Sequence, residues 1–161
     1  MQLVSKRVAL QPDTLPEDYF VVEVGDWAAI CPRTADGRFV LVEQYRPAVE
    51  RQVLEFPAGT IDPGEEPASS IERELLEETG HRAARLVSLG NYFTDTGRLS
   101  NRAHLYYGDV APVADWTPEP GLVAKSFTAQ EIDQLATEGG ITSLHHIGLW
   151  LLVKAAGLAA T

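Results

Sequence analysis

The chain has 161 residues, 13 of them basic and 23 acidic, for a formal net charge of −10. Hydrophobic residues make up 45%, an ordinary globular share, and the length suffices for one domain with a core that needs no cross-links. A single cysteine, Cys31, excludes an intrachain disulfide and reads as a small buried hydrophobe in a strand. No basic patch invites nucleic acid. The apolar run Ile147 to Ala156 is too short to span a bilayer and is broken by Gly148 and Lys154. Lys6 and Arg7 precede no apolar stretch of signal-peptide length, so a cytoplasmic protein is expected.

Pattern and punctuation divide the chain into short elements. Tyr19 to Val24 and Trp27 to Cys31 read as strands about a Gly25-Asp26 turn. Asp36-Gly37 is a hairpin signal into a strand from Phe39 to Gln44. A short strand, Val53 to Phe56, enters a glycine loop. A helix is predicted from Pro67 to Thr79, because Pro67 suits a first turn and Gly80 a left-handed C-terminal cap. Strands follow at Arg85 to Tyr92 and Arg102 to Val110, then a proline-rich loop from Ala111 to Gly121 and a strand at Leu122 to Ser126. Thr128 caps a helix ending near Gly139, and a last helix is expected from Ser143 to Ala160. No repeat or low-complexity linker interrupts this order, so residues 1–161 form one domain.

The acidity is concentrated. Residues 62–78 hold seven acids (Asp62, Glu65, Glu66, Glu72, Glu74, Glu77, Glu78) and one base, Arg73, a local charge of −6. On the predicted helix Glu74 and Glu78 are four apart and share a face, Glu77 is one neighbour round, and Arg73 is four before Glu77. Ile71 and Leu75 form an adjacent apolar stripe that seats the helix on a core. Carboxylates held along one edge repel one another unless a cation joins them. Hard oxygen ligands at fixed spacing suit Mg²⁺ or Mn²⁺. A solvated acidic face is the alternative.

Gly59, then Glu65, Arg73-Glu74-Leu75, Glu77-Glu78 and Gly80 at their spacing resemble the Nudix box of the Nudix hydrolases. His81, and Ser70-Ile71 where two alanines are common, are packing departures. Gln44-Tyr45-Arg46-Pro47 and Leu54-Glu55-Phe56-Pro57-Ala58-Gly59 are similar to the ADP-ribose and nucleoside-diphosphate-sugar pyrophosphatase branch. The resemblance spans roughly residues 27–128. It implies an α/β fold, an α/β/α sandwich with a mixed sheet, and metal-dependent cleavage of a pyrophosphate bond. It assigns metal binding to Glu74, Glu78, Glu77 and the carbonyl of Ala58, with Arg73 orienting them. Glu65 braces loop against helix, contacts the metal, or lies as a charge near the helix N-terminus. Homodimers are common in the branch, with the N-terminal region, about residues 1–26, contributing to the partner's pocket.

Arg46 is the candidate grip on the diphosphate, since a guanidinium fork matches phosphate oxygens, and Arg51 is a weaker one. Glu55 is a candidate acceptor for a ribose hydroxyl. In this branch the catalytic base is often a glutamate on a loop after the box. Glu119 is the first candidate, Asp115 the second, and Glu119, Glu77 and Arg73 form the expected catalytic set. The loop from Asn91 to Asn101 keeps a branch glycine at Gly97 but carries Asp95-Thr96 before it and Asn101 near the place of the branch's acid. Gly97, Arg98 and Asn101 are therefore candidates to read the sugar, which need not be ADP-ribose. Tyr19, Phe20 and Trp27 are core or base-stacking residues, and His104, His145 and His146 are read as packed. A catalytically silent nucleotide-binding or sensor domain is the competing function. Dinucleoside polyphosphates and nucleoside triphosphates are competing substrates.

Overall fold

The computed structural model describes residues 1–8 and 17–159. Of the expectations above, part of the N-terminal region proposed for dimer contact, residues 9–16, and the helix end at Ala160 lie outside them.

The centre of the molecule is β3 (Trp27–Thr34), whose side chains alternate between two buried faces. Ala28 and Ile30 point to one cluster, with Tyr106 and Val110 of β8 (Arg102–Pro112) and Ile71 and Leu75 of α1 (Pro67–Thr79). Ala29 and Cys31 point to the other, with Phe39, Leu105 and Tyr107, Ile132 of α2 (Ala129–Glu138), and Leu149, Trp150 and Val153 of α3 (Leu144–Ala155). A strand buried on both sides is the middle layer of a sandwich. Each fully buried Ile or Leu contributes about 1.5–3 kcal/mol to it. Burial also pushes the Cys31 thiol well above its usual range, which leaves it inert.

β3 pairs in parallel with β8 from Trp27↔Ala103 to Thr34↔Val110, while the other strand pairs among the described residues are antiparallel. The expected mixed sheet and α/β/α architecture are thus present. β7 (His81–Phe93) completes one edge beside β8. β4 (Phe39–Arg46) meets β3 at Arg33↔Phe39 and is flanked by β5 (Arg51–Glu55) and β9 (Val123–Phe127), since Val42 partners both Glu55 and Ala124. β6 (Ala58–Thr60) pairs with β3 where a glycine loop was expected. Three small residues carry no strand signal of their own. Their pairing comes from β3, and it sets Gly59 opposite Ala28.

β1 (Gln2–Val8) was not foreseen; it forms a separate two-stranded sheet with β2 (Glu17–Glu23). β7 begins at His81, earlier than its predicted start at Arg85, because register shifts at Ala83/Arg85 and Ser88/Gly90 break the alternation that marks a strand. α3 stops at Ala155, short of the predicted end, with Gly157 left-handed just beyond. α1 has its predicted bounds, with Gly80 at φ 69° donating its N–H to Leu76.

Candidate active site

α1 is held along its inner edge by the burial of Ile71 and Leu75, and this fixes which carboxylates face the sheet. Glu78 is only 7% exposed, and its Oε2 accepts the Ala58 N–H at 3.1 Å. Glu74 lies against Gly59, where a Cβ would fall 2.0 Å from its carboxyl carbon. β6 is therefore stitched to α1 by hydrogen bonds from Ala58 N–H to Glu78 and from Ser70 and Arg73 to Thr60 O, and by one contact that only glycine permits.

Arg73 organises the outer side. Its Nε and Nη2 donate to the two oxygens of Glu65 at 3.1 Å each, and its Nη1 reaches Glu74 at 2.8 Å and Glu77 at 3.3 Å. Glu65 also accepts the Asp62 N–H at 3.1 Å, closing the glycine turn. The Arg73 pairing, then the Asp62 hydrogen bond, hold the Glu65 carboxyl below its usual range, and Glu65 above all raises Arg73 further. Glu65 is thus the brace between loop and helix.

Burial raises the Glu74 carboxyl, against the pull of Arg73. It raises Glu78 to about 8, opposed by the Ala58 hydrogen bond and reinforced by the charge of Glu74. Among the described residues, no three acid, histidine or cysteine side chains already stand as a metal cage. The chemistry of the donor set nevertheless fits a hard divalent cation. Glu74 and Glu78 are oxygen donors on one edge whose ionised forms are penalised by burial and by neighbouring carboxylates, Glu77 and Glu65 for Glu74, and Glu74 and Glu119 for Glu78.

Beside this edge is a cleft of about 220 Å³ lined by Trp27, Arg46, Ala58, Gly59, Thr60 and His146. Arg46 Nε and Nη2 donate to Glu55 Oε2 at 2.9 and 2.7 Å, and Gln44 Nε2 donates to the same oxygen at 3.2 Å. Glu55 therefore aims Arg46 at the cleft and offsets its charge. Arg51 is exposed and directly opposite Arg46 across β4 and β5.

The loop between β8 and β9 closes another side. Its Glu119 shares a cavity of about 390 Å³ with Leu76, Glu77, Trp116 and Thr117, and its charge adds to the field that disfavours an ionised Glu78. Asp115 is exposed on the same loop, with a left-handed φ of 59°.

This geometry agrees with the family comparison, in which the model for the NUDIX domain matches residues 25–141. The chain belongs to the NUDIX family. It is 33% identical over 87 residues to an ADP-ribose pyrophosphatase of Bacillus subtilis (strain 168), a match covering 54% of this chain and 47% of that protein. It is 51% identical over 86 residues to an ADP-sugar pyrophosphatase of Mus musculus, covering 51% and 39%. The matched segments thus span less than half the length of these curated relatives. A crystal structure of an ADP compounds hydrolase superposes with a TM-score of 0.77 at 20% identity, over 96% of this chain and 94% of that one, which is a likeness of fold.

The NUDIX match takes in the box, the cleft floor and the Glu119 loop, but α3 lies beyond it. α3 supplies His146, which pattern reading had left as a packed residue; no sequence signal ties it to Phe56. Gly97 and Arg98 contact the N-terminal strands. Tyr19 donates its hydroxyl to the Gly97 carbonyl, Arg98 stacks 4.4 Å over the Tyr19 ring, and the Val22 N–H donates to Arg98 O at 2.8 Å. The structure thus engages them with the β1–β2 hairpin. Buried Asn101 donates to Gly25 O at 3.2 Å and helps to hold the paired starts of β3 and β8 together.

His146 leads to a stability prediction. The Phe56 N–H donates to its Nδ1 at 3.2 Å, so that nitrogen is an acceptor and the neutral ring carries its proton on Nε2, 3.9 Å from Glu55. Burial lowers the ring to about 4, against the attraction of Glu55. The folded state thus refuses a proton that the unfolded chain takes up near 6.5. His146 stability is complete above that value and is lost as pH falls toward 4, by up to roughly 3 kcal/mol. From pH 8 to pH 4 the urea stability of the native chain should fall by this amount relative to that of His146→Gln, since Glu78, raised to about 8, titrates with the opposite sign in both proteins. An unchanged slope in the variant would assign the loss to other groups.

Proposed function

We propose that the chain is a divalent-metal-dependent hydrolase. It cleaves the pyrophosphate bond of a nucleoside diphosphate linked to a sugar, ADP-ribose or a related NDP-sugar, into a nucleoside monophosphate and a sugar phosphate. The observation that carries this reading is the juxtaposition of the buried Glu74–Glu78 edge with the Arg46 cleft across Ala58 and Gly59. The relatives' names agree with it.

Bound Mg²⁺ or Mn²⁺ would neutralise the phosphates and acidify a water. Glu74, Glu78, Glu77 and the Ala58 carbonyl are the residues that would hold it. Arg73 keeps Glu74 and Glu77 oriented and bridges them to Glu65. Arg46 grips the diphosphate with its guanidinium, with Arg51 across the strand as a second cation. Glu55 holds Arg46 and presents its remaining oxygen to a ribose hydroxyl. Glu119 takes the proton of the attacking water, with Asp115 as the alternative. Gly97 and Arg98 are the residues that would bind the sugar end.

We further read the protein as a cytoplasmic homodimer. β2 carries exposed Phe20 and β1 exposed Leu3 on a two-stranded sheet, an arrangement marginal on its own. Among the described residues no helix is long and apolar enough to cross a membrane.

The test is incubation of the purified protein with Mg²⁺ or Mn²⁺ and a panel of ADP-ribose, other NDP-sugars, dinucleoside polyphosphates and nucleoside triphosphates, with products identified by chromatography. The expected products are a nucleoside monophosphate and a sugar phosphate, and none form when the metal is chelated. Metal binding without hydrolysis of any compound would leave the silent binding domain as the reading. Glu119→Gln is expected to lower turnover at least about tenfold with KM little changed. Near-normal turnover in that variant would remove Glu119 as the base.

A further inference from the structure

We propose that Trp116 is a positioning residue whose indole, seated on the bare backbone of Gly80, fixes the arm Trp116–Pro120 and so holds Glu119 over the acidic edge of α1. The role rests on the reading of Glu119 as the base. Trp116 lines the cavity that Glu77 and Glu119 share but is assigned to neither substrate nor metal, and it acts through Glu119.

Gly80 satisfies two demands. It ends α1 at a left-handed φ of 69°, and a Cβ there would stand 2.5, 2.6 and 2.9 Å from three atoms of the Trp116 ring. The ring therefore occupies the space that a side chain on residue 80 would need. The same glycine binds the root of the loop, because its carbonyl accepts the Val113 N–H at 2.8 Å. Backbone and indole, three residues apart, converge on one residue at the end of the helix that carries Glu77 and Glu78.

The arm beyond this anchor has few free dihedrals. Asp115 and Gly121 bracket it with left-handed φ values of 59° and 91°. Pro118 and Pro120 flank Glu119, each with φ fixed near −65° by its ring. The Leu122 N–H closes back on the Glu119 carbonyl at 3.2 Å. Trp116 is the one residue of 114–120 that is half-buried; the others are exposed. It forms a wall of the cavity that Glu119 and Glu77 also line. A stiff arm on a single half-buried foot transmits the position of that foot to its tip. Without the indole the arm keeps its internal shape but loses its registration against α1, and misplacement of a base by an ångström is enough to slow proton transfer.

The experiment compares Trp116→Ala, Trp116→Phe, Glu119→Gln and the double variant Trp116→Ala/Glu119→Gln in the full chain. The readouts are kcat and KM for ADP-ribose with Mg²⁺, hydrogen exchange of the Val113 and Leu122 amides, and thermal unfolding. Trp116→Ala is expected to lower kcat about tenfold with KM within about twofold. It should also speed exchange at both amides with little change in melting temperature. Trp116→Phe should restore most of the turnover. The double variant should be no slower than Glu119→Gln alone, because both changes act on one group. Full activity in Trp116→Ala beside a crippled Glu119→Gln would overturn the role of Trp116 and leave the base standing. Unchanged amide exchange, or losses that multiply in the double variant, would overturn it too. Near-normal turnover in Glu119→Gln would overturn the base and this role with it.

Discussion

Glu78→Gln is expected to lower turnover by about a hundredfold or more while leaving the metal-free fold as stable as before or more stable. The two effects separate because Glu78 has two tasks. As a hydrogen-bond acceptor it receives the Ala58 N–H, and a glutamine carbonyl oxygen does the same in the same place. As a charge it sits 7% exposed beside Glu74, where burial raises its carboxyl to about 8. A buried carboxylate without a matched cation costs several kcal/mol of desolvation, and the amide does not. Arg46 offsets part of this cost in the native chain, but its guanidinium is already committed to Glu55. Urea unfolding with a chelator at pH 8 should therefore show no loss in the variant. Added Mg²⁺ should stabilise the native chain more than the variant, because only binding to the folded state shifts the equilibrium. A variant that melts early would make Glu78 a structural acid. A variant that turns over normally would remove it from the metal site.

The parts of this site that lie on one helix were legible from sequence, and those made by contacts between distant segments were not. Pro67 and Gly80 set the ends of α1 by local backbone preference, and the spacing of Glu74, Glu77 and Glu78 follows from 3.6 residues per turn. Arg73 to Glu77 is a pair four residues apart and was expected; Arg73 to Glu65 spans the glycine turn, as the bracing reading of Glu65 requires. β6 was missed because its pairing is imposed by β3, and β1 because a hairpin strand paired only with β2 has no buried face to give it a pattern. The clearest case is the loop from Asn91 to Asn101. Arg98 there stacks on Tyr19 and donates to Phe20 O at 3.3 Å, contacts that no local pattern announces. His146 enters the cleft from α3 for the same reason: its partner, Phe56, is fixed by the packing of α3 on the sheet. Helical periodicity encodes which carboxylates share an edge. It does not encode what the rest of the fold brings to face them.

Gly59→Ala is the second change with a large expected effect, a fall in turnover of about tenfold to a hundredfold with the fold intact. The added methyl would stand 2.0 Å from Glu74 Cδ, 2.1 Å from its Oε1 and 2.6 Å from its Cγ. No packing tolerates such distances, so something must move. Gly59 is paired with Ala28 in the sheet, whereas Glu74 is the end of a flexible side chain, so Glu74 yields. Its departure breaks the 2.8 Å pair with Arg73 and removes the carboxylate from the edge it shares with Glu78. The backbone need not change, because β6 keeps its pairing and Ile71 and Leu75 keep α1 seated. Circular dichroism and melting temperature should therefore stay close to the native values while Mg²⁺-dependent turnover falls. Glu74→Ala in the same background supplies the control. With the clashing carboxylate gone, Gly59→Ala/Glu74→Ala should be at least as stable as Gly59→Ala and no slower than Glu74→Ala. Native turnover in Gly59→Ala would show that the reaction does not need Glu74 where the fold holds it. A collapsed melting temperature relieved by Glu74→Ala would show instead that the backbone, and not the side chain, gives way.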